Sequence, residues 1–176
     1  MLTITEALAE IQTIKKRLAK KLEFVQGHLW RMDNHRDPLE KQGGSVSAID
    51  AERQSMADLQ ERLLDLRTSI AKANASTKVT INGDTRTIEE WLIWKREVAP
   101  LIQRDYNSIQ SVLANARAQS QRLKAGLPAN QGDNPIDVSV HIDEQKFAAE
   151  CENLEKTLGD LDGQLSLKNA TTTLSL

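Results

Sequence analysis

Trp91 and Trp94 stand three residues apart, one helical turn, shortly after Arg86 and directly before Lys95 and Arg96. Two large rings beside three cations can form a stacking surface for a flat anionic molecule such as a nucleobase with phosphates. The same rings can instead bury area in a core or a subunit interface, the commoner use of Trp. Both readings stand. A second group offers neutral donors and acceptors. Lys72-Ala73-Asn74-Ala75-Ser76-Thr77 and Lys168-Asn169-Ala170-Thr171-Thr172 each place an Asn and hydroxyls just past an apolar helical stripe. Asn74 and Asn169 can cap helices, since Asn tolerates the left-handed region. Alternatively the two ends meet and pool Asn74, Thr77, Asn169 and Thr171 into a polar site.

Little else in the chain has the chemistry of an active site. Cys151 lies on an apolar stripe, where a packed thiol is expected rather than a nucleophile. His28 and His35 are seven apart with Asp33 and Asp37 nearby, which reads as a hydrated loop entrance rather than a metal site. No P-loop, G-x-G-x-x-G, H-E-x-x-H or paired C-x-x-C occurs. The expectation is no catalytic residue, no metal and no cofactor.

The elements that must position these residues are helices. Thr3 and Glu6 form a capping box, and Ile4, Leu8, Ile11, Ile14, Leu18, Leu22, Val25, Leu29 and Met32 follow at an average step of 3.5. That is the period of a coiled-coil seam and predicts a helix over 3–33. A loop with Asp37-Pro38 and Gly43-Gly44 precedes a second helix over 47–74, with Ser47 as its cap. Asn82-Gly83 between two short alternating runs predicts a type I′ hairpin over 78–87. Thr87 and Glu90 form another capping box, opening a helix over 87–125 whose buried side reads Ile88, Trp91, Val98, Ile102, Ile109, Leu113, Ala116 and Leu123. Pro100 predicts a kink near Glu97. The strict alternation of 136–142 predicts a strand, free to pair with the hairpin, and Asp143 caps a last helix over 143–168. Gly159 and Gly163 in that helix would allow another backbone to approach.

The fold class expected is therefore mainly α. Long antiparallel helical hairpins form a coiled-coil-like bundle, with a small β-hairpin and one extra short strand, in a single domain over 1–176. The net charge of −2 excludes bulk attraction to long nucleic acid or membrane. Residues 1–36 carry +3 and residues 137–163 carry −6, so the two regions can attract each other within the fold or between subunits. No run approaches the roughly 18 apolar residues of a membrane span. No signal-peptide pattern is present and the one cysteine excludes a disulfide framework, so a cytoplasmic protein is expected.

Several short motifs occur in a fixed order: Ile70-x-x-x-Asn74-x-x-Thr77, Gly83-x-Thr85 leading through Glu90 to Leu92, Leu161-Asp162, and Leu165-x-x-x-Asn169-x-Thr171-Thr172-x-Leu174. In these the whole chain resembles the septicolysin-type family of small bacterial and phage helical proteins. It departs from that pattern at Ala170, where the family usually has Trp, and in a loop carrying His28, His35 and Arg36 where the family is acidic. The resemblance implies an oligomer of helical hairpins and supplies no activity. Four apolar seams on so short a chain also favour a homo-oligomer. The function expected is a non-enzymatic oligomeric binding protein that sequesters an anionic small molecule such as a nucleotide signal, in the manner of phage sponges. The alternative is a structural or adaptor protein that mediates protein–protein assembly.

Overall fold

The computed structural model describes residues 1–125 and 138–175. The sequence reads as one domain, and the contacts divide the chain into two compact units. Unit 1 comprises Met1–Val79 with Leu165–Leu176, and unit 2 comprises Thr80–Gln164. The protein is mainly α-helical.

In unit 1, strand β1 (Leu2–Thr3) leads into helix α1 (Ile4–His28). The capping box forms as the sequence predicts: Thr3 Oγ1 accepts from Glu6 N and Glu6 accepts from Thr3 N. Helix α2 (Ser45–Ser76) runs back against α1. Glu10 accepts two hydrogen bonds from Arg62, at 2.8 and 3.2 Å, and Lys21 pairs with Glu52 at 2.6 Å. These pairs set an antiparallel register in which His28 faces Ser45. That register explains why α1 stops at His28 and not at residue 33. Beyond His28 there is no turn of α2 left to pack on, and Leu29 and Met32 are exposed rather than in the seam. Apart from Leu39 in the connecting loop, the buried positions of these helices lie at the other end: Ile4, Ala7, Ile11, Ile14, Leu66 and Ile70.

The start of α2 differs from the sequence reading. Gly44, with φ +89°, occupies the N-cap and has no side chain to offer, and Ser47 lies inside the helix. The carboxylate of Asp37 caps from outside instead, accepting from Ser45 N at 2.8 Å, from the Ser45 hydroxyl and from Leu39 N. A short sheet closes unit 1: β1 pairs antiparallel with β4 (Thr173–Leu174), Leu2 opposite Leu174. Two-residue strands carry no periodicity, so the sequence gives no sign of this pairing.

In unit 2, β2 (Lys78–Ile81, whose first two residues close unit 1) and β3 (Asp84–Thr87) form the expected hairpin. Asn82 (φ +50°) and Gly83 (φ +89°) both take the positive φ that a type I′ turn requires. Thr87 caps α3 (Ile88–Ile93) with Glu90 as predicted. A π-helical turn (Trp94–Val98) follows, then α4 (Ala99–Ala125). Pro100 has no N–H for the carbonyl four residues back and its ring crowds that carbonyl. The helix absorbs this in the widened turn just before it, where Ala99 N donates to Trp94 O, and such π-turns are a usual seat of helix kinks. Helix α5 (Glu144–Thr171) begins at Asp143, whose carboxylate accepts from Gln145 N and Lys146 N at 3.0 Å.

Three expectations are corrected in this region. Val138–Ile142 is not a strand, and the sheets among the described residues do not include it; Ile136 and Asp137 lie outside those residues. The hairpin therefore stands as a two-stranded sheet. On the long helix, Val98, Ile109 and Leu123 are exposed, while the buried positions are Ile88, Trp91, Ala99 and Ser120. Gly159 and Gly163 face open space, so no backbone approaches them. Within unit 2, Asp162 pairs with Lys95 and Glu144 with Arg117.

Candidate functional site

The type I′ turn aims Asn82 at α5. Its Nδ2 donates to Thr157 Oγ1 at 2.9 Å, and Thr157 donates in turn to Asn153 O at 2.7 Å. This bond fixes the hairpin, and with it Arg86 on β3. The capping box at Thr87 fixes the start of α3, and Trp91 follows one turn later. The Arg86 guanidinium lies 4.9 Å from the centroid of the Trp91 ring, a cation–π contact. Arg86 also pairs with Asp84 at 3.5 Å. Trp94 meets Trp91 edge to face, with centroids 5.5 Å apart and planes at 90°.

Beside these rings lies a cleft of about 190 Å³, to which Arg86, Trp91, Trp94, Tyr106, Asn153 and Thr157 contribute. Asp84 and Glu150 also line it, so its charge is mixed rather than purely cationic. A second cleft of about 230 Å³ shares Tyr106 and Leu154 with the first and is lined further by Gln103, Asn107 and Gln110. Tyr106 and Leu154 border both clefts, which are otherwise lined by different residues, Cys151 and Glu155 among those of the second. Tyr106 stacks edge-on with Phe147 of α5 at 5.4 Å. Desolvation, with Glu150 and Cys151 nearby, pushes its phenol pKa up, so at neutral pH it is a hydrogen-bond donor. Cys151 receives a weak hydrogen bond from Gln110 at 3.7 Å. The lining of the two clefts contains no His, Lys or Ser.

The nine residues singled out in the sequence divide accordingly. Arg86, Trp91 and Trp94 converge on the cleft. Trp91 is 1% exposed, so its face is taken by Arg86 and by packing rather than open for stacking. Lys95 is turned to Asp162, and Arg96 donates to Leu92 O in its own helix, so neither lines the cleft. Asn74, Thr77, Asn169 and Thr171 belong to unit 1 and are absent from the lining. Thr171 donates back to Leu167 O, and Thr77 closes α2 through its backbone N–H. Asn74 Oδ1 and Asn169 Oδ1 are both buried without a hydrogen-bond partner. They are acceptors and want a donor, which an anion does not provide.

Sequence reasoning missed Tyr106, Asn153, Thr157 and the three amides of the second cleft. Tyr106 is the only Tyr in the chain and Gln103, Asn107 and Gln110 recur at helical spacing, which is the one signal that pointed to them. Among the described residues no group of three or more His, Cys, Asp or Glu is placed to hold a metal ion. No helix among them is long and apolar enough to cross a membrane. No known family model, curated protein or solved structure matches the chain.

Proposed function

We propose that this chain is a non-enzymatic binding protein whose clefts beside α4 and α5 hold a small, flat, polar ligand with negative charge, of nucleotide type, without altering it. The observation that carries this reading is the Arg86–Trp91 contact at a cleft edged by Trp94, Tyr106, Asn153 and Thr157, with the amides of the second cleft beyond Tyr106. Arg86 supplies the cation for a phosphate. The edge of Trp94 and the ring of Tyr106 supply contact for a base, and the amides present donors and acceptors to its polar rim. The linings hold carboxylates and one thiol, but the hydrogen bonds of Thr157 and Cys151 run to Asn153 O and Gln110 and not to a base, so sequestration fits better than turnover.

The test is a thermal-shift screen of the purified chain against linear and cyclic nucleotides, with mass spectrometry of ligands retained through purification. A ligand at 100 times its Kd adds about 2.7 kcal/mol to stability. The melting temperature is expected to rise with one nucleotide class, and Arg86→Ala and Trp94→Ala are expected to cut that rise. A flat screen with an empty mass spectrum refutes the reading. The adaptor reading is favoured by a separate observation, the exposed apolar face of α4.

A further inference from the structure

Helix α4 packs one side on α5 and leaves a second apolar side bare. Leu101, Ile109, Val112 and Leu123 are exposed, Val112 by 64% and Leu101 by 51%, and Val98 of the preceding turn continues the row. At 100° per residue these five fall within an arc of about 80°, spread over roughly 37 Å of helix. Scattered surface Leu and Val need no explanation, but a row on one helical face does. Asp105 is the only charged residue within the arc.

The order of the row suggests what covers it. Val98 to Ile109 and Val112 to Leu123 have the same spacing, so four of the five read alike in both directions; Leu101 alone falls opposite a buried residue, Ser120. Laid antiparallel on itself about a two-fold axis between Ile109 and Val112, it sets Val98 against Leu123 and Ile109 against Val112. Asp105 then falls opposite Ala116 and is not forced against another charge. Along one flank, Glu97 of one copy comes within two residues, about 3 Å along the axis, of the level of Arg122 of the other, within reach of both side chains, and the symmetry repeats the pair. Neither Glu97 nor Arg122 has an ion-pair partner among the described residues. Same-flank pairing of opposite charges is how antiparallel helices select their register.

We infer that the occupant of this face is a second copy of the same chain, docked antiparallel through α4. The α4–α5 hairpins of two copies then make a four-helix arrangement, the smallest that gives such a row an interior. The contact is isologous and closes on itself, so it yields a dimer rather than a fibre. This inference is independent of the proposed ligand: the face lies outside the cleft linings.

Light scattering coupled to size exclusion on the full chain at micromolar concentration tests it. The expected mass is twice the 19.7 kDa of the chain. Val112→Arg sits on an exposed position and is expected to give a monomer of unchanged helical circular dichroism. Glu97→Arg and Arg122→Glu are each expected to weaken the dimer by several-fold in Kd, and the double exchange to restore it. A wild-type monomer overturns the inference. So does a dimer that survives Val112→Arg, or a double exchange that fails to restore. A nucleotide shift retained by monomeric Val112→Arg would leave the ligand reading standing whatever the outcome here.

Discussion

Asp37 accepts from the Ser45 hydroxyl and from the backbone N–H groups of Ser45 and Leu39, and these bonds hold its pKa down to about 2. A depressed carboxyl pKa contributes stability that is fully present above its unfolded value near 3.8 and is lost as pH falls through 2. The wild-type melting temperature is therefore expected to fall between pH 4 and pH 2. Asp37→Asn is expected to start lower and to lose less across that window, in thermal melts at stepped pH. A parallel decline in both would show that other carboxylates dominate. Asn82 carries two separable duties, a positive φ and the amide bond to Thr157. Asn82→Ala is expected to cost about 1–3 kcal/mol, from left-handed strain plus a lost hydrogen bond. Asn82→Gly removes the bond without the strain and is expected to cost less, as read by denaturant melts. The turn was legible because Asn-Gly demands one geometry. The external cap by Asp37 was not, since it reaches eight residues along the chain and obeys no local spacing.

Helix existence, order and type could be read from the 3.5-residue stripes, and both capping boxes appear where Thr-x-x-Glu predicts them. Which side of a stripe is covered could not. Val98, Ile109 and Leu123 have core-like spacing yet are exposed, because periodicity identifies an apolar face and not its neighbour. The alternation expected over 136–142 gives no strand at 138–142 among the described residues, since alternation marks a possible face and does not supply the neighbouring strand. Pro100 shows a subtler limit. The disturbance falls where Pro100 places it along the chain, but its form, a π-turn at Trp94–Val98, is not legible from the proline alone. Gly159 and Gly163 lie within α5 with nothing within 4 Å of an added Cβ. Gly159→Ala and Gly163→Ala are each expected to stabilise by roughly 0.5–1 kcal/mol. A loss of stability in denaturant melts would mean that a neighbour, such as another copy, approaches that face after all.

At the scale of the molecule, burial is uneven. The fully covered positions of unit 1 gather at one end of the α1–α2 hairpin, and in unit 2 they gather around Trp91, Ile88 and Leu161. Hydrogen exchange is expected to be slowest at 7–14 and 66–70 in unit 1 and fastest along 20–28 and 45–55 of the same helices, by mass spectrometry of peptic fragments. Uniform protection along α1 would show that something covers the far end. Trp91→Ala is expected to cost about 3–5 kcal/mol, the usual range for emptying a buried aromatic site, and so reports on folding rather than on binding. The candidate site was half legible for the same reason. Arg86, Trp91 and Trp94 are neighbours along the chain and could be grouped by eye. Tyr106, Asn153 and Thr157 join them only through the packing of α4 on α5, which stripes do not reveal.

The pairing of Leu2–Thr3 with Thr173–Leu174 means that unit 1 is assembled from the earliest and the latest parts of the chain. A ribosome delivers α1 and α2 first, then the whole of unit 2, and only afterwards Leu165 and Leu174. At about 5–20 residues per second the wait between Val79 and Leu174 is on the order of 5–20 s. For that interval Ile4, Ile11, Leu66 and Ile70 lack part of their eventual cover, a long exposure by the standard of helix formation, which takes microseconds. The final turns of α5 and the strand after them thus work as a delayed fastener. Nascent chains halted before Leu165 are expected to recruit chaperones or precipitate, whereas chains released past Leu174 are not.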